Sequence, residues 1–279
     1  MRASDPFARI SAPFGLKRGP ASLDHWARVE WMEGRMGMPS HSVLAPVGNL
    51  DAYSGVLPAR YLLVAGAFAE HFGPARLQAF RRLGLTHVVL GEPTDEQEAE
   101  LARSAVEGAR LLRQDREWGA SVWDVPHRAW GFFAPGAIAA AGQAEAVHTL
   151  VDLVASGRQE VVVEGPLPSA FSPGRILSSS REAERVHVEA ESGGPGLLVL
   201  NEAWAPGWTA TIDGVPAAVL PADVMARAIA WPAGRHILEM WYEAPGLRLG
   251  QRISAFGVLA LLALLLLAAT QRRVTPSVP

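Results

Sequence analysis

Three short segments bring aromatic and polar side chains together in a way that suits sugar binding. They are NLDAYSG (49–55), WDVPHRAWGFF (123–133) and NEAWAPGW (201–208). Flat aromatic rings stack on a sugar ring, while Asp, Asn and Arg side chains hydrogen-bond its hydroxyl groups. The candidate ligand-binding residues are therefore Asp51, Tyr53, Trp123, Asp124, Arg128, Trp204 and Trp208.

The same residues also have a structural interpretation. Tryptophan side chains can fill the core of a β-sandwich or the interface between two halves of the chain. Arg128 can pair with an acidic residue across that interface. Sugar binding and packing therefore remain alternatives at this point.

The sequence contains no recognisable catalytic or metal-binding motif. There is no cysteine, which excludes disulfides, thiolate chemistry and cysteine-based metal sites. The eight histidines never occur as HxH, HxxxH or HExxH, and GxSxG, GxxxxGK[ST] and GxGxxG are absent. We therefore expect no catalytic residue, no metal site and no cofactor in this chain. A net charge of −3, from 25 basic and 28 acidic residues, gives no reason to expect a nucleic-acid partner.

The segment Ile253–Thr270, ISAFGVLALLALLLLAAT, predicts a membrane-spanning helix. It is 18 residues long and carries no charge. A helix of that length rises about 27 Å, close to the hydrocarbon thickness of a bilayer. Arginines at 248, 252, 272 and 273 flank it on both sides. The alternative is a helix buried in a large soluble core. The membrane is the better expectation because 18 uncharged residues reach the usual length of a membrane span.

The N-terminus leaves two topologies open. Residues 1–20 contain no apolar run of the kind found in a secretory signal peptide. The polar part is then either cytoplasmic on a C-terminal tail anchor, or extracytoplasmic with its upstream membrane segments lost. Two arginines on each side of the span do not decide between these orientations.

The remaining sequence predicts an α+β protein with a small N-terminal α/β region, a C-terminal antiparallel β-sandwich and one C-terminal transmembrane helix. The expected divisions are an irregular N-terminal segment (1–58), the α/β region (59–157), the sandwich (158–246), the transmembrane helix with its flanks (247–273) and a tail (274–279).

Helical periodicity and capping residues mark the α/β region. Predicted helices are Pro74–Leu83, Thr94–Arg113 and Glu145–Val154, and residues 22–37, capped by Ser22, form a further helix near the N-terminus. The 60–68 segment suits either a helix or a strand. Predicted strands are Thr86–Leu90, Ala109–Gln114 and Ala120–Val125.

From Glu160 onward the apolar residues alternate with a period of two. Seven short strands separated by turn signals are typical of an antiparallel sandwich. Asp213-Gly214 is a strong hairpin signal between two of them. The predicted strands are Glu160–Glu164, Arg185–Glu191, Leu197–Glu202, Trp208–Asp213, Ala217–Leu220, Arg227–Trp231 and Ile237–Glu243.

The order of these segments resembles the C-terminal end of bacterial YfhO-like membrane proteins. That family shows a Pro-Gly-Trp, an Asp-Gly hairpin, a Pro-Ala-Gly-Arg/Lys-His segment, an aromatic strand and a final transmembrane helix. The matching positions here are Pro206, Gly207, Trp208, Asp213, Gly214, Pro232, Ala233, Gly234, His236 and Tyr242. Upstream, DVPHRAWGFFAP resembles the family's Pro-Arg segment with His127 inserted, and LQAFRRLGLTHVVL resembles its helix–Gly–strand unit.

The resemblance implies a function outside the cytoplasm. Members of the family are large polytopic proteins that resemble membrane-embedded glycosyltransferases using lipid-linked sugars, and their terminal polar domain is extracytoplasmic. This chain has only the last span, so no residue here inherits a catalytic role. The resemblance therefore implies a non-catalytic, membrane-anchored module that positions a glycan or lipid-linked sugar, with a polytopic membrane protein as partner. The alternatives are a structural docking domain for such a partner, or a free-standing glycan-active enzyme.

Overall fold

The structure of the chain, a computed structural model, describes residues 9–11, 48–49, 59–68, 74–90, 96–115, 120–182 and 184–274. The predicted helix at 22–37 and the candidate residues Asp51 and Tyr53 lie outside these ranges.

Helices and strands both contribute to the described part of the chain. Its helices are α1 (Ala59–Ala67), α2 (Pro74–Arg82), α3 (Glu96–Ala105), α4 (Gln143–Ser156) and α5 (Leu247–Val274). Its first strands are β1 (Arg9–Ser11), β2 (Gly48–Asn49), β3 (His87–Leu90), β4 (Arg110–Asp115), β5 (Ala120–Asp124), β6 (Gly131–Phe133), β7 (Ala137–Ala140) and β8 (Val161–Glu164). The later strands are β9 (Gly174–Arg181), β10 (Arg185–Ser192), β11 (Gly196–Leu200), β12 (Trp208–Ile212), β13 (Val215–Ala217), β14 (Leu220–Ala222), β15 (Ala226–Trp231) and β16 (Gly234–Tyr242).

These strands form three sheets. The N-terminal sheet has the order β2-β1-β3-β5-β4, with β1 parallel to its two neighbours and the other pairs antiparallel. The outer sheet, β13-β12-β16-β10-β9, is antiparallel throughout. The central sheet, β6-β11-β15-β14-β8-β7, is antiparallel except for its parallel β7–β8 pair.

The central and outer sheets pack face to face as a β-sandwich. Alternate residues of each strand point inward because successive side chains of a strand project to opposite faces. The shared core contains Val188, Leu238 and Met240 from the outer sheet and Leu198 and Ile229 from the central sheet. All five side chains are almost completely buried. The predicted α+β class, with a strand-rich C-terminal part and one apolar C-terminal helix, is thus confirmed.

Helix α4 connects the parallel strands β7 and β8 of the central sheet. A helix is the usual connection between two parallel strands. Val161 and Val163 of β8 face one side of the central sheet, and Val162 faces the other. Val162 packs with Leu150 and Leu153 of α4 and with the core of the α/β region. Because Val162 shares its face with the residues that pack on the outer sheet, α4 and the outer sheet cover neighbouring parts of one face.

Two predicted elements differ from the structure, and three further strands were not predicted. Helix α3 ends at Ala105 instead of Arg113, because Gly108 has a φ of 69° and the chain then enters β4. The predicted strand Ala217–Leu220 is two strands, β13 and β14, which belong to different sheets. Strands β6, β7 and β9 were not predicted, and β9 carries the polar run Ser178–Ser180 that hides its period.

One end of the sandwich leads into the apolar helix. Tyr242, at the end of β16, pairs with Trp208 at the start of β12. Arg227 of β15 lies over the Trp208 ring, so the same ends of the two sheets meet. We call this region the anchor end. It comprises residues 200–208, the turn at 223–225 and Tyr242. Four residues, 243–246, separate Tyr242 from the start of helix α5.

Candidate functional site

Asp223 is the buried centre of the polar contacts at the anchor end. It lies in the turn between β14 and β15, and the whole residue is only 1% exposed. Its Oδ2 accepts from Arg82 Nε at 2.7 Å and from Arg128 Nη1 at 3.2 Å. Its Oδ1 accepts from the backbone N–H of Val162 at 3.0 Å. One carboxylate therefore joins α2, the segment after β5 and the start of β8.

The backbone around Asp223 is strained. Asp223 and Val224 have positive φ values of 42° and 66°, a region that β-branched residues rarely adopt. The Met225 N–H donates to the Asp223 carbonyl oxygen at 2.8 Å, which closes a tight γ-turn. Burial of Val224 in the α/β core holds this conformation in place.

Trp204 packs beside the same turn. Its backbone N–H donates to the Met225 carbonyl oxygen, and its indole N–H donates to the Val219 carbonyl oxygen. The Arg60 guanidinium lies 4.5 Å from its ring centre while pairing with Glu164. One face of Trp204 therefore contacts a cation of the protein itself.

Trp208 has a similar arrangement with Arg227. The guanidinium of Arg227 lies 3.6 Å from the ring centre, and Tyr242 packs at 5.4 Å. Arg227 Nε donates to the Ala203 carbonyl oxygen. Burial lowers the pKa of Arg227 to about 10, although the neighbouring Glu202 opposes that effect. One face of Trp208 at the anchor end therefore packs on the buried guanidinium of Arg227.

Trp123 and Asp124 lie elsewhere, on β5 of the N-terminal sheet. The Trp123 indole N–H donates to Ser121 Oγ at 2.8 Å, and its ring packs against the α/β core. Asp124 pairs with Arg110 of the neighbouring strand at 3.0 Å. The structure thus gathers Arg128, Trp204 and Trp208 at the anchor end, whereas Trp123 and Asp124 belong to a different sheet.

An arginine-lined cavity of about 390 Å3 adjoins this network. Its lining includes Arg81 and Arg82 at the end of α2, and Arg158 and Gln159 just after α4. His127 and Arg128 complete its polar wall, and His127 Nδ1 lies 2.7 Å from the Val125 carbonyl oxygen. Burial, followed by the charge of Arg82, lowers the pKa of Arg128 to about 10, against the opposing effect of Asp223. The cavity is therefore a strongly cationic concave surface.

The sequence offers Arg128 either as a ligand-binding residue or as the partner of an acid, and it does not indicate which acid. Arg82 reads as one more basic residue in the last turn of a helix, where arginine is common. Asp223 belongs to Pro221-Ala-Asp223, one of the turn signals that separate the predicted strands. The positions of these residues depend on how the β7–α4–β8 unit meets α2, which no local pattern encodes.

An ion pair at the opposite end of the sandwich joins two turns. His236 Nδ1 lies 2.6 Å from Asp213 Oδ2, and His236 Nε2 lies 2.9 Å from the Ala233 carbonyl oxygen. Both ring nitrogens face acceptors, which favours the doubly protonated ring. The Asp213 hydrogen bond raises the pKa of His236, and the reciprocal bond lowers the pKa of Asp213.

Helix α5 is the one helix of the described residues that is long and apolar enough to cross a membrane. The segment Leu247–Leu266 has a mean hydropathy of 1.9, and none of it is buried against the rest of the protein. This is consistent with single-pass anchoring at the C-terminal end.

The described residues contain no group of three or more His, Asp and Glu side chains placed to hold a metal ion. No protein-family model, no curated protein and no solved structure matches the chain.

Proposed function

We propose that this chain is a non-catalytic, membrane-anchored module that lies outside the cytoplasm and positions a glycan or lipid-linked sugar for a polytopic membrane partner. The resemblance of the 201–270 segment to YfhO-like proteins supports the link to cell-envelope glycosylation and the extracytoplasmic orientation.

The observation that carries the proposal is the short, bonded link between the sandwich and α5. Only Glu243–Gly246 separates Tyr242 from the helix. The Glu243 N–H donates to the Gly207 carbonyl oxygen, and the Glu243 carboxylate accepts from Arg248 Nη2 at 2.7 Å. A link this short keeps the anchor end within a few residues' reach of the headgroups, where a lipid-linked sugar is presented.

Binding of a lipid-linked sugar to the full chain in lipid nanodiscs tests the proposal. We expect saturable binding that the same lipid without its sugar does not reproduce. Trp208→Phe keeps an aromatic ring over Arg227 but reduces its size, so it should weaken binding while leaving the unfolding midpoint nearly unchanged. The absence of binding at millimolar ligand would contradict the proposed function.

A structural docking role is the second candidate, and exposed apolar side chains favour it. Leu62 and Leu63 on α1 are 53% and 40% exposed, and Leu111 and Leu112 on β4 are 43% and 40% exposed. Such side chains suit contact with a membrane protein. Co-purification with a polytopic partner that Leu62→Asp abolishes, together with no sugar affinity, would favour this candidate.

A further inference from the structure

Among the described residues, the wall of the cavity beside Asp223 is rich in arginine and holds no carboxylate. Four arginines line it, Arg81, Arg82, Arg128 and Arg158. In the part of the chain that the structure describes, the carboxylates of Asp223, Glu160 and Glu107 lie close to these arginines, and none of the three belongs to the lining. The described lining therefore contains arginines but no acidic side chain.

Arg82 and Arg128 lie close together in this wall. Both guanidinium groups contact the same oxygen of Asp223, so two cations share one carboxylate. Arg82 is 7% exposed at its side chain and Arg128 is 13% exposed, which limits screening of their repulsion by water. Their proximity contributes to the lowered pKa of Arg128. An anion in the cavity would relieve this repulsion.

Helix ends account for part of the arrangement. Helices α2 and α4 both end beside the cavity, and the partial negative charge of a helix C-terminus stabilises cations. Arg82 also donates to the carbonyl oxygens of Arg158 and Glu160. These contacts explain why Arg82 is buried. The side chain of Arg158 is 52% exposed and pairs with Glu160 at 2.6 Å. Its place in the wall suits a ligand.

We propose that this cavity binds a phosphate or diphosphate group. Guanidinium groups match phosphate oxygens in geometry and charge, and several of them around one concave space form a typical phosphate site. The cavity volume of about 390 Å3 falls within the roughly 300–1,000 Å3 of small-molecule sites. The inference deepens the proposed function and rests on it only for the source of the phosphate, which is a lipid-linked sugar.

The position of the cavity agrees with this source. Asp223 belongs to the turn at the anchor end, and Arg82 and Arg128 both contact it. The cavity therefore lies at the end of the sandwich that leads into α5. A phosphate at the membrane surface would meet this end first.

Calorimetric titration of the full chain in phosphatidylcholine nanodiscs with inorganic diphosphate tests the proposal. We expect saturable binding, and we expect Arg158→Glu to weaken it about tenfold or more through loss of one charge-assisted contact and added repulsion. Arg175→Glu is the matched control, because Arg175 is also exposed and paired with a glutamate at 2.6 Å, but outside this cavity. Arg158→Gln, which only removes the charge, provides a milder variant that should retain the fold.

Each result has a definite meaning. No saturable binding of diphosphate at millimolar concentration, or equal losses in Arg158→Glu and Arg175→Glu, would overturn the cavity proposal. Diphosphate binding that requires Arg158, without affinity for a lipid-linked sugar, would support the cavity and contradict the proposed function. Competition by phosphatidylglycerol nanodiscs would support the cavity and assign the phosphate to a lipid headgroup. Sugar binding unchanged in Arg158→Glu, with no diphosphate binding, would overturn the cavity alone.

Discussion

Asp223 holds two arginines and a backbone N–H with a single carboxylate. Asp223→Asn keeps the shape of the side chain and removes its charge, leaving Arg82 and Arg128 buried without their common anion. Breaking a buried charge pair in this way costs about 3–5 kcal/mol. We therefore expect a loss of that order in the free energy of unfolding, measured by urea denaturation of the full chain in detergent.

Glu191→Gln provides the comparison for Asp223. Glu191 pairs with Arg175 at 2.6 Å, but on an exposed edge of the outer sheet. Exposed pairs contribute about 0–1 kcal/mol, so this variant should unfold almost as the wild type does. Equal effects of the two substitutions would show that Asp223 is not the centre of the anchor end.

The His236–Asp213 pair predicts a pH dependence of stability. The pKa of His236 is raised in the folded protein, so its contribution is complete below the usual value of about 6.5 and is lost as pH rises through the folded pKa. The pKa of Asp213 is lowered, so its contribution is present above about 4 and is lost on acidification. NMR titration of His236 should show the raised pKa directly.

His236→Gln tests the same pair through stability. The difference in unfolding free energy between wild type and variant should shrink as pH rises above about 6.5. His187→Gln is the control, because His187 is a half-buried histidine of β10 away from Asp213. If His236→Gln leaves the pH profile unchanged, the ion pair does not form in solution.

The sequence predicted the strands better than it predicted the contacts between polar side chains. A pairing of Arg128 with an unnamed acid is one of two interpretations of the sequence, and in the structure Arg128 pairs with Asp223, 95 positions later. The tryptophans were recognised, but their contacts with Arg60 and Arg227 were not. Such pairs depend on long-range packing, and a single sequence carries no local signal for them.

At the scale of elements, Gly207 determines how closely the link to α5 approaches the sandwich. Its φ of 108° and its backbone contact with Glu243 both require the absence of a side chain. A Cβ there would overlap the Glu243 carbonyl oxygen. We expect Gly207→Ala to lower the free energy of unfolding by about 1–3 kcal/mol beyond the cost of positive φ alone.

Gly214→Ala measures separately the cost in unfolding free energy of placing alanine at a positive φ. Gly214 also has a positive φ, of 79°, but no atom lies within 4 Å of the Cβ position. Thermal unfolding of both variants should therefore show the larger shift for Gly207→Ala. Equal shifts would mean that the link is not held against the 206–208 segment.

Helix α5 is expected to insert into a bilayer through its central residues. Leu262→Arg places a charge in the middle of the span and should raise the free energy of insertion by about 3 kcal/mol. Leu249→Arg adds the same charge beside Arg248 and Arg252, where headgroups accommodate it. Carbonate extraction should release Leu262→Arg from membranes more readily than Leu249→Arg, and equal retention would contradict a span centred there.

Strands with clear alternation were predicted well, and elements defined by tertiary pairing were not. The predicted Arg185–Glu191 and Arg227–Trp231 strands agree with β10 and β15 to within one residue. The 217–220 segment looked continuous because nothing local shows that β13 and β14 join different sheets. The predicted strand ends at Glu243 and the predicted span begins at Ile253. The link between them is shorter in the structure, since Arg248 and Arg252 already belong to the helix.

At the scale of the whole molecule, helix α5, the arginines around Asp223 and the cationic cavity share one end of the sandwich. The predicted division at 157/158 falls between α4 and β8, which form one β7–α4–β8 unit with β7. The α/β region and the sandwich are therefore joined by a shared sheet and by Asp223, and we expect them to unfold together. Such a body would present a fixed surface beside the membrane.

Orientation across the membrane is the central claim, and the absence of cysteine makes it directly measurable. Single variants Ser180→Cys on β9, Ser254→Cys in α5 and Ser277→Cys in the tail are treated with a membrane-impermeant maleimide in intact cells. The account predicts labelling at 180, none at 254, and labelling at 277 only after permeabilisation. Labelling at 277 but not at 180 in intact cells, or labelling at 254, would contradict it.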